Sequence, residues 1–290
     1  MIELFSQLMR HHGGAHARSA LAAYLADDTS RYLASLVPHR PRLELLKSSA
    51  QLAHLLAKMT SDSGEEGLAL AYFRTALDLA GMAGDRNTYA ITLRAMSLQA
   101  LHLGHHRHAA DLAEAAVRAA GPDPSAPTTA FLLVQRALAH AHDHQRRSAL
   151  ADLRTAELRY AQAPDDSGAF ARYPRAGLDY QRGETLLALG DYPEALDAFE
   201  ESARHRGELQ HHPGALTRAR QAETLMRLGQ LEAACSCWHQ FLDHYQWLHS
   251  VRADRSLAEL KKSLRPYCRQ REASLVIERA HVLVRSRTPS

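Results

Sequence analysis

A frame that recurs five times constrains this chain more than any single motif does. In Gly190-Asp191-Tyr192-Pro193-Glu194-Ala195-Leu196-Asp197-Ala198-Phe199-Glu200-Glu201-Ser202-Ala203, a turn residue precedes an alanine by five positions and an aromatic by nine. The same frame puts turn residues at Gly64, Gly104, His144, Gly190 and Gly229, with spacings of 40, 40, 46 and 39. Five positions later stand Ala69, Ala109, Ala149, Ala195 and Ala234. Nine later come Phe73, Ala113, Leu153, Phe199 and Trp238, and three beyond those Ala76, Ala116, Ala156, Ser202 and Phe241. Seven before each turn are Ala57, Ser97, Ala137, Gly183 and Ala222, all small. Small side chains in facing columns let two helices approach closely, and a turn glycine lets the chain leave the first helix at positive φ.

Alanine, leucine and arginine dominate the rest of the sequence, and these are strong helix formers. Runs of Val, Ile, Thr and aromatics of the strand type are missing. The turn and second helix of each unit resemble those of a tetratricopeptide repeat (TPR). The predicted fold is therefore all-α: a right-handed superhelical TPR-like solenoid of about five helical hairpins, capped by helices at both ends. Its expected divisions are an N-terminal cap over 1–40, five helix pairs over 41–249 and a basic C-terminal pair over 250–290. The 46-residue step is read as a loop, Ala163-Pro164-Asp165-Asp166-Ser167-Gly168. A second break, from Gly121 to Pro127, separates units two and three.

Charge and cysteine content narrow the functional classes. The formal charge of +3 gives no chain-wide nucleic-acid footprint, but residues 252–290 carry a net +6 and the preceding ones −3. Three cysteines exclude a disulfide-dense scaffold and fit a reducing cytoplasm. No apolar run approaches the roughly 18 to 20 residues that span a bilayer, and no basic signal-peptide head opens the sequence. A cytoplasmic protein without a membrane partner is the expectation.

The resemblance extends past generic repeats. Leu21-Ala22-Ala23-Tyr24-Leu25-Ala26-Asp27-Asp28 and Ala71-Tyr72-Phe73-Arg74-Thr75-Ala76-Leu77 look like the regulatory half of actinobacterial Xre-type helix-turn-helix regulators that carry C-terminal TPRs. So do Arg94-Ala95-Met96-Ser97-Leu98-Gln99-Ala100 and, near the end, Leu257-Ala258-Glu259-Leu260 with Leu264-Arg265-Pro266-Tyr267. That resemblance implies a sensor that takes up a small molecule, peptide or partner protein and passes the event to DNA. The regulatory half begins here at Met1, so sequence-specific DNA binding is not expected, and output would run through another protein. A homodimer is compatible with the sequence.

The concave face of a solenoid is its usual binding surface, and first helices line it. Counting back from each turn, the inward positions include His54, Lys58 and Asp62, then Arg94, Phe131 and Gln135. Tyr180, Gln181, Glu184, Arg220, Glu223 and Arg227 follow in units four and five. Arginine and amide side chains suit the carbonyls and carboxylate of an extended peptide. Arg94, Gln135, Gln181 and Arg220 are the expected polar anchors, exposed enough that truncation would barely change folding. Glu184 and Glu223 are expected to pair with Arg220 or Arg227 rather than act as catalytic carboxylates.

Nineteen histidines raise the question of metal. His140 and His144 stand at i, i+4, and His102, His105, His106 and His108 cluster at the preceding turn; most are read as exposed turn residues. Cys235, Cys237 and His239 make a poor ligand set, because the two cysteines point to different helix faces. Nucleophile elbows, phosphate loops and zincin motifs are missing. Neither catalysis, cofactor nor metal is expected. A non-enzymatic regulatory or sensor module is the reading preferred, ahead of a pure interaction scaffold and a metal-dependent helical-repeat enzyme.

Overall fold

A computed structural model describes residues 1–29, 39–122, 124–162 and 174–287. The expected Ala163–Gly168 loop and part of the N-terminal cap lie outside the described residues. Among the described residues all regular structure is helical. The opening helices are α1 (Ile2–His12) and α2 (Arg18–Tyr24), followed by a π turn over Leu25–Thr29. Five hairpins come next: α3 (His39–Asp62) with α4 (Glu66–Ala83), α5 (Arg86–His102) with α6 (His106–Ala119), and α7 (Ala126–His142) with α8 (Arg146–Ala161). The fourth joins α9 (Arg175–Leu189) to α10 (Tyr192–Arg204), and the fifth joins α11 (His211–Arg227) to α12 (Leu231–Tyr245). Helices α13 (Val251–Leu264) and α14 (Arg271–Arg287) close the chain, with a 3₁₀ turn over Arg265–Tyr267. No helix among the described residues is long and apolar enough to cross a membrane.

The five turns share one geometry. Gly64, Gly104, Gly190 and Gly229 have φ between 75° and 84°, and His144 has φ 60°. His144 is the one described non-glycine residue at positive φ. The residue after each turn position donates its amide five residues back, as in Glu65 to Thr60 O, His105 to Ala100 O, Gln145 to His140 O, Asp191 to Leu186 O and Gln230 to Leu225 O. This is the Schellman closure, which satisfies an orphan carbonyl at the end of the first helix. His144 adopts it without the freedom of glycine.

The columns read from sequence are the seams between helices. Ala69, Ala109, Ala149, Ala195 and Ala234 have no exposed surface, and the same holds for Ala57, Ser97, Ala137 and Ala222. Gly183 completes that second column and is buried. The facing residues Phe73, Ala113, Leu153, Phe199 and Trp238 are all buried. Where the column holds Ala113, the partner is Ser97, and its hydroxyl donates to Ala109 O at 2.8 Å. In four of the hairpins a small residue of the first helix thus meets a larger one of the second, and in the remaining one the Ser97 hydroxyl bonds to the second helix instead.

The chain divides into two compact units. The first comprises residues 1–8 and 14–174, and carries α3 to α8. Within it Arg136 of α7 forms a fork with Asp152 of α8 (2.8 and 2.7 Å) and reaches Glu114 of α6 at 2.9 Å, tying three helices. The second comprises residues 9–13 and 175–290. Its core gathers Trp238, Phe241 and Leu242 of α12 with Leu257, Leu260 and Leu264 of α13 and Val276 of α14. In the C-terminal pair, apolar residues at helical spacing face inward, which leaves the basic residues outside.

Candidate functional site

In the first unit the candidate residues lie on α3, α5 and α7, and most join one first helix to the next. His54 is buried at 5% exposure, with Nδ1 3.1 Å from Thr92 Oγ1 and its ring edge-on to Phe73. Thr92 gives its own proton to Thr88 O at 2.8 Å, so its oxygen accepts and His54 carries hydrogen on Nδ1. Burial, then the charges of Lys58 and Arg94, push His54 well below the ordinary histidine range. It is a neutral, structural imidazole.

Arg94 corrects the expectation of an exposed anchor. It is 8% exposed, its guanidinium carbon lies 3.7 Å above the centre of the Phe131 ring, and Nε donates to Phe131 O at 3.0 Å. Gln135 is buried entirely and donates to Ser97 Oγ at 3.2 Å, continuing the relay to Ala109 O. Asp62, also read as inward-facing, accepts the Gly14 amide at 2.6 Å and is buried. Lys58 is exposed, and Phe131 is half-buried. Of the candidates in this unit, Lys58 is the most open, and part of the Phe131 ring is also exposed.

In the second unit the candidates come together more closely. Arg220 of α11 lies between two carboxylates, with Nε 2.7 Å from Glu184 Oε1 of α9 and a second nitrogen 2.6 Å from Glu223 Oε2. The sequence expectation that these acids pair with Arg220 holds in this geometry. The acids hold Arg220 well above its ordinary range, Glu184 acting most strongly. Burial pushes Glu223 upward against the pull of Arg220. Tyr180 is tilted against Phe199 at 5.7 Å, and burial, then the Glu184 charge, push its hydroxyl up to about 12. Gln181 is buried at 6% exposure, so it too is not an open anchor. Arg227 is exposed and lies 5.6 Å over the Tyr192 ring. Glu184 and Glu223 against Arg220, with Arg227 farther along the same helix, give this face charges of both signs.

The histidine and cysteine groups separate. His106 and His142 stack at 5.1 Å with rings 7° apart, and His140 Nε2 sits 3.7 Å from Asp152 Oδ2. Among the described residues no three His, Cys, Asp or Glu side chains converge to hold a metal. Burial pushes the thiols of Cys235 and Cys237 upward, which makes both weak nucleophiles. Sequence reasoning missed a different group in the second unit. His211 Nδ1 lies 3.2 Å from His244 Nδ1, and His211 stacks on the exposed Trp247 at 5.9 Å. The His249 amide donates to His12 O at 2.7 Å. These residues are scattered from one end of the sequence to the other, so no spacing announces them.

No protein-family model matches the sequence, and no curated protein does either. Solved structures do. The fold is similar to that of BtubC (BKLC) from P. vanneervenii, with a TM-score of 0.52 at 15% identity over 86% of this chain and 92% of that one. It is also similar, at a TM-score of 0.47 and 15% identity, to a chain of the APC/C hetero-tetramer Cut9-Hcn1, covering 88% of this chain and 44% of that one. The likeness is one of fold: a TPR-like array of helical hairpins.

Proposed function

We propose that this chain is a non-enzymatic protein-interaction module that takes up an extended segment of a partner protein on the first-helix face of its second unit. The observation that carries the reading is the Glu184–Arg220–Glu223 cluster. Three charged side chains of two first helices are gathered on one face, Arg220 the most open of them at 36% exposure, with the exposed Arg227 on the same helix as Arg220 and Glu223. A charged face of this kind recognises complementary charge along a peptide, which fixes register and specificity more than raw affinity. The resemblance to regulatory halves of Xre-type regulators supports placing the module in cytoplasmic regulatory control, where peptide occupancy is the signal.

Peptide display on the purified chain, followed by fluorescence polarisation with the selected peptides, tests this. Arg227→Glu should weaken binding of a selected peptide by tenfold or more, about 1.4 kcal/mol. Arg154→Glu, on the exposed surface of the second helix α8, should leave it unchanged. Equal binding by both variants would remove the site from this first-helix face.

A further inference from the structure

A different face of α11 builds a cleft that the reading above does not use. It encloses about 290 Å³, lined by Arg206, Gly207, Gly214, Arg218 and His244, with the exposed Glu208 also at its wall. Residues 214, 217 and 218 face it, roughly opposite 220, 223 and 227 on the helix. Its cationic groups are held in place. Arg206 donates from Nε to Thr217 Oγ1 at 2.9 Å and from a terminal nitrogen to Ser202 Oγ at 3.1 Å, and both hydroxyl residues are buried. Arg218 donates to Gln221 Oε1 at 2.9 Å. Gly214 matters for space, since a Cβ there would stand 3.0 Å from His244 Nε2.

We propose that this cleft binds a dianionic oxyanion, a phosphoryl group or its sulfate equivalent, between Arg206, Arg218 and His244. Arg218 and the His244 imidazole supply donors, and Arg206, whose Nε and one terminal nitrogen are committed to Thr217, Ser202 and Ala176 O, adds a fixed positive charge, a combination that suits a dianion better than a singly charged carboxylate. The volume admits such a group together with part of a molecule that carries it. His244 has a reason to turn its Nε2–H into the cleft: its Nδ1 can accept from His211 Nδ1–H across the 3.2 Å contact.

Binding should therefore strengthen on acidification. The groups that face His244 are His211 and Arg218 of α11, Arg206 and Glu208 of the preceding segment, and Asp243 of its own helix, with His11 and His12 acting on His211. Burial, then His211, then Arg218 push His244 below the ordinary range, and Arg206 adds to this. A bound dianion reverses that balance and draws a proton onto the ring.

The test is calorimetric titration of the full chain with sodium sulfate at fixed ionic strength, because sulfate stays doubly charged across the range used. Expected are saturable binding, roughly tenfold or greater weakening in Arg218→Gln, and tighter binding at pH 6 than at pH 7.5. The pH effect should vanish in His244→Gln. Arg206→Gln risks the fold, since its side chain ties Ser202 to Thr217, so Arg218→Gln and Gly214→Leu carry the decision. Arg227→Glu should bind sulfate normally, which separates this site from the peptide face. A phosphoserine peptide binding more tightly than inorganic phosphate would assign the phosphoryl group to a modified partner, and the reverse order to a free ion or small metabolite; either supports the site. Unsaturable heats, equal affinity in Arg218→Gln, or acetate binding as tightly as sulfate would overturn it.

Discussion

The Phe199 ring occupies the space that a Cβ on Gly183 would need, with Cε1 only 2.6 Å from where that atom would stand. Glycine inside helix α9 gives up about 1 kcal/mol of helix propensity relative to alanine. Its presence is therefore a packing decision, in which the aromatic of the second helix is bought with the missing side chain of the first. Gly183→Leu should destabilise by about 1 to 3 kcal/mol through overpacking, and Ala195→Leu by a similar amount. Gly183→Ala should be far better tolerated when Phe199→Leu is present than alone. Urea midpoints for the single and double variants measure this coupling, and simple additivity would show that the two residues do not share the seam.

His144 leads to a prediction of opposite sign. It holds φ 60° at a position where the other four turns use glycine. A left-handed conformation costs a residue with a Cβ about 1 to 2 kcal/mol. His144→Gly should thus stabilise the third hairpin by about 0.5 to 1 kcal/mol, the unfolded-state entropy of glycine offsetting part of the gain. Gly190→Ala and Gly229→Ala should each lose about 1 to 2 kcal/mol although an added Cβ meets nothing within 4 Å at either site. Thermal melts of the three variants check all of this, since a space-filling account would predict no change for the two alanines.

These two cases show why the hairpins were legible in the sequence. Close approach of helices admits only small side chains, and a Schellman turn admits few residues other than glycine, so both constraints are written in residue identity. The candidate site was legible in part. Helical spacing places Arg94, Gln135 and Gln181 on the first-helix face, but it does not say whether the next helix covers them. Gln135 meets Ser97, 38 positions earlier, and Arg94 meets Phe131, 37 positions later. Such distances match the repeat period, so polar residues in equivalent registers were the available signal for contacts between successive units. The His211–His244 pair had no such signal, because two unrelated positions on one hairpin are joined by side-chain direction alone.

Arg220 was expected to be dispensable for folding, and its geometry says otherwise. It separates Glu184 and Glu223, whose side chains are 14% and 17% exposed. Removing it leaves two poorly solvated carboxylates facing one another. With its own side chain 36% exposed, screening trims the loss, and Arg220→Ala should cost about 1 to 2 kcal/mol near pH 7. Burial already raises Glu223, so the folded state binds its proton more readily than the unfolded chain does. Stability from that group grows as pH falls toward 4.5, and the deficit of Arg220→Ala should shrink over the same interval. A deficit independent of pH would mean that lost packing, rather than uncompensated charge, sets its size.

The buried imidazole of His54 gives a pH dependence of the other kind. Its folded value lies well below 6.5, so near neutral pH it is uncharged in the folded chain. As pH falls below 6.5 the unfolded chain takes up a proton that the folded chain refuses. The stability fully present above 6.5 is then lost at about 1.4 kcal/mol per pH unit, until the folded value is reached. His211, His239 and His244 are lowered as well and add to the slope. His54→Gln keeps a donor for Thr92 Oγ1 but cannot titrate. Chemical denaturation at pH 7.5, 6.5 and 5.5 should show the native chain losing stability with acid, and the variant losing about 1 kcal/mol less between 6.5 and 5.5. Parallel curves for the two proteins would mean that His54 takes up a proton as readily in the folded chain as in the unfolded one, and burial would not be what keeps the ring neutral.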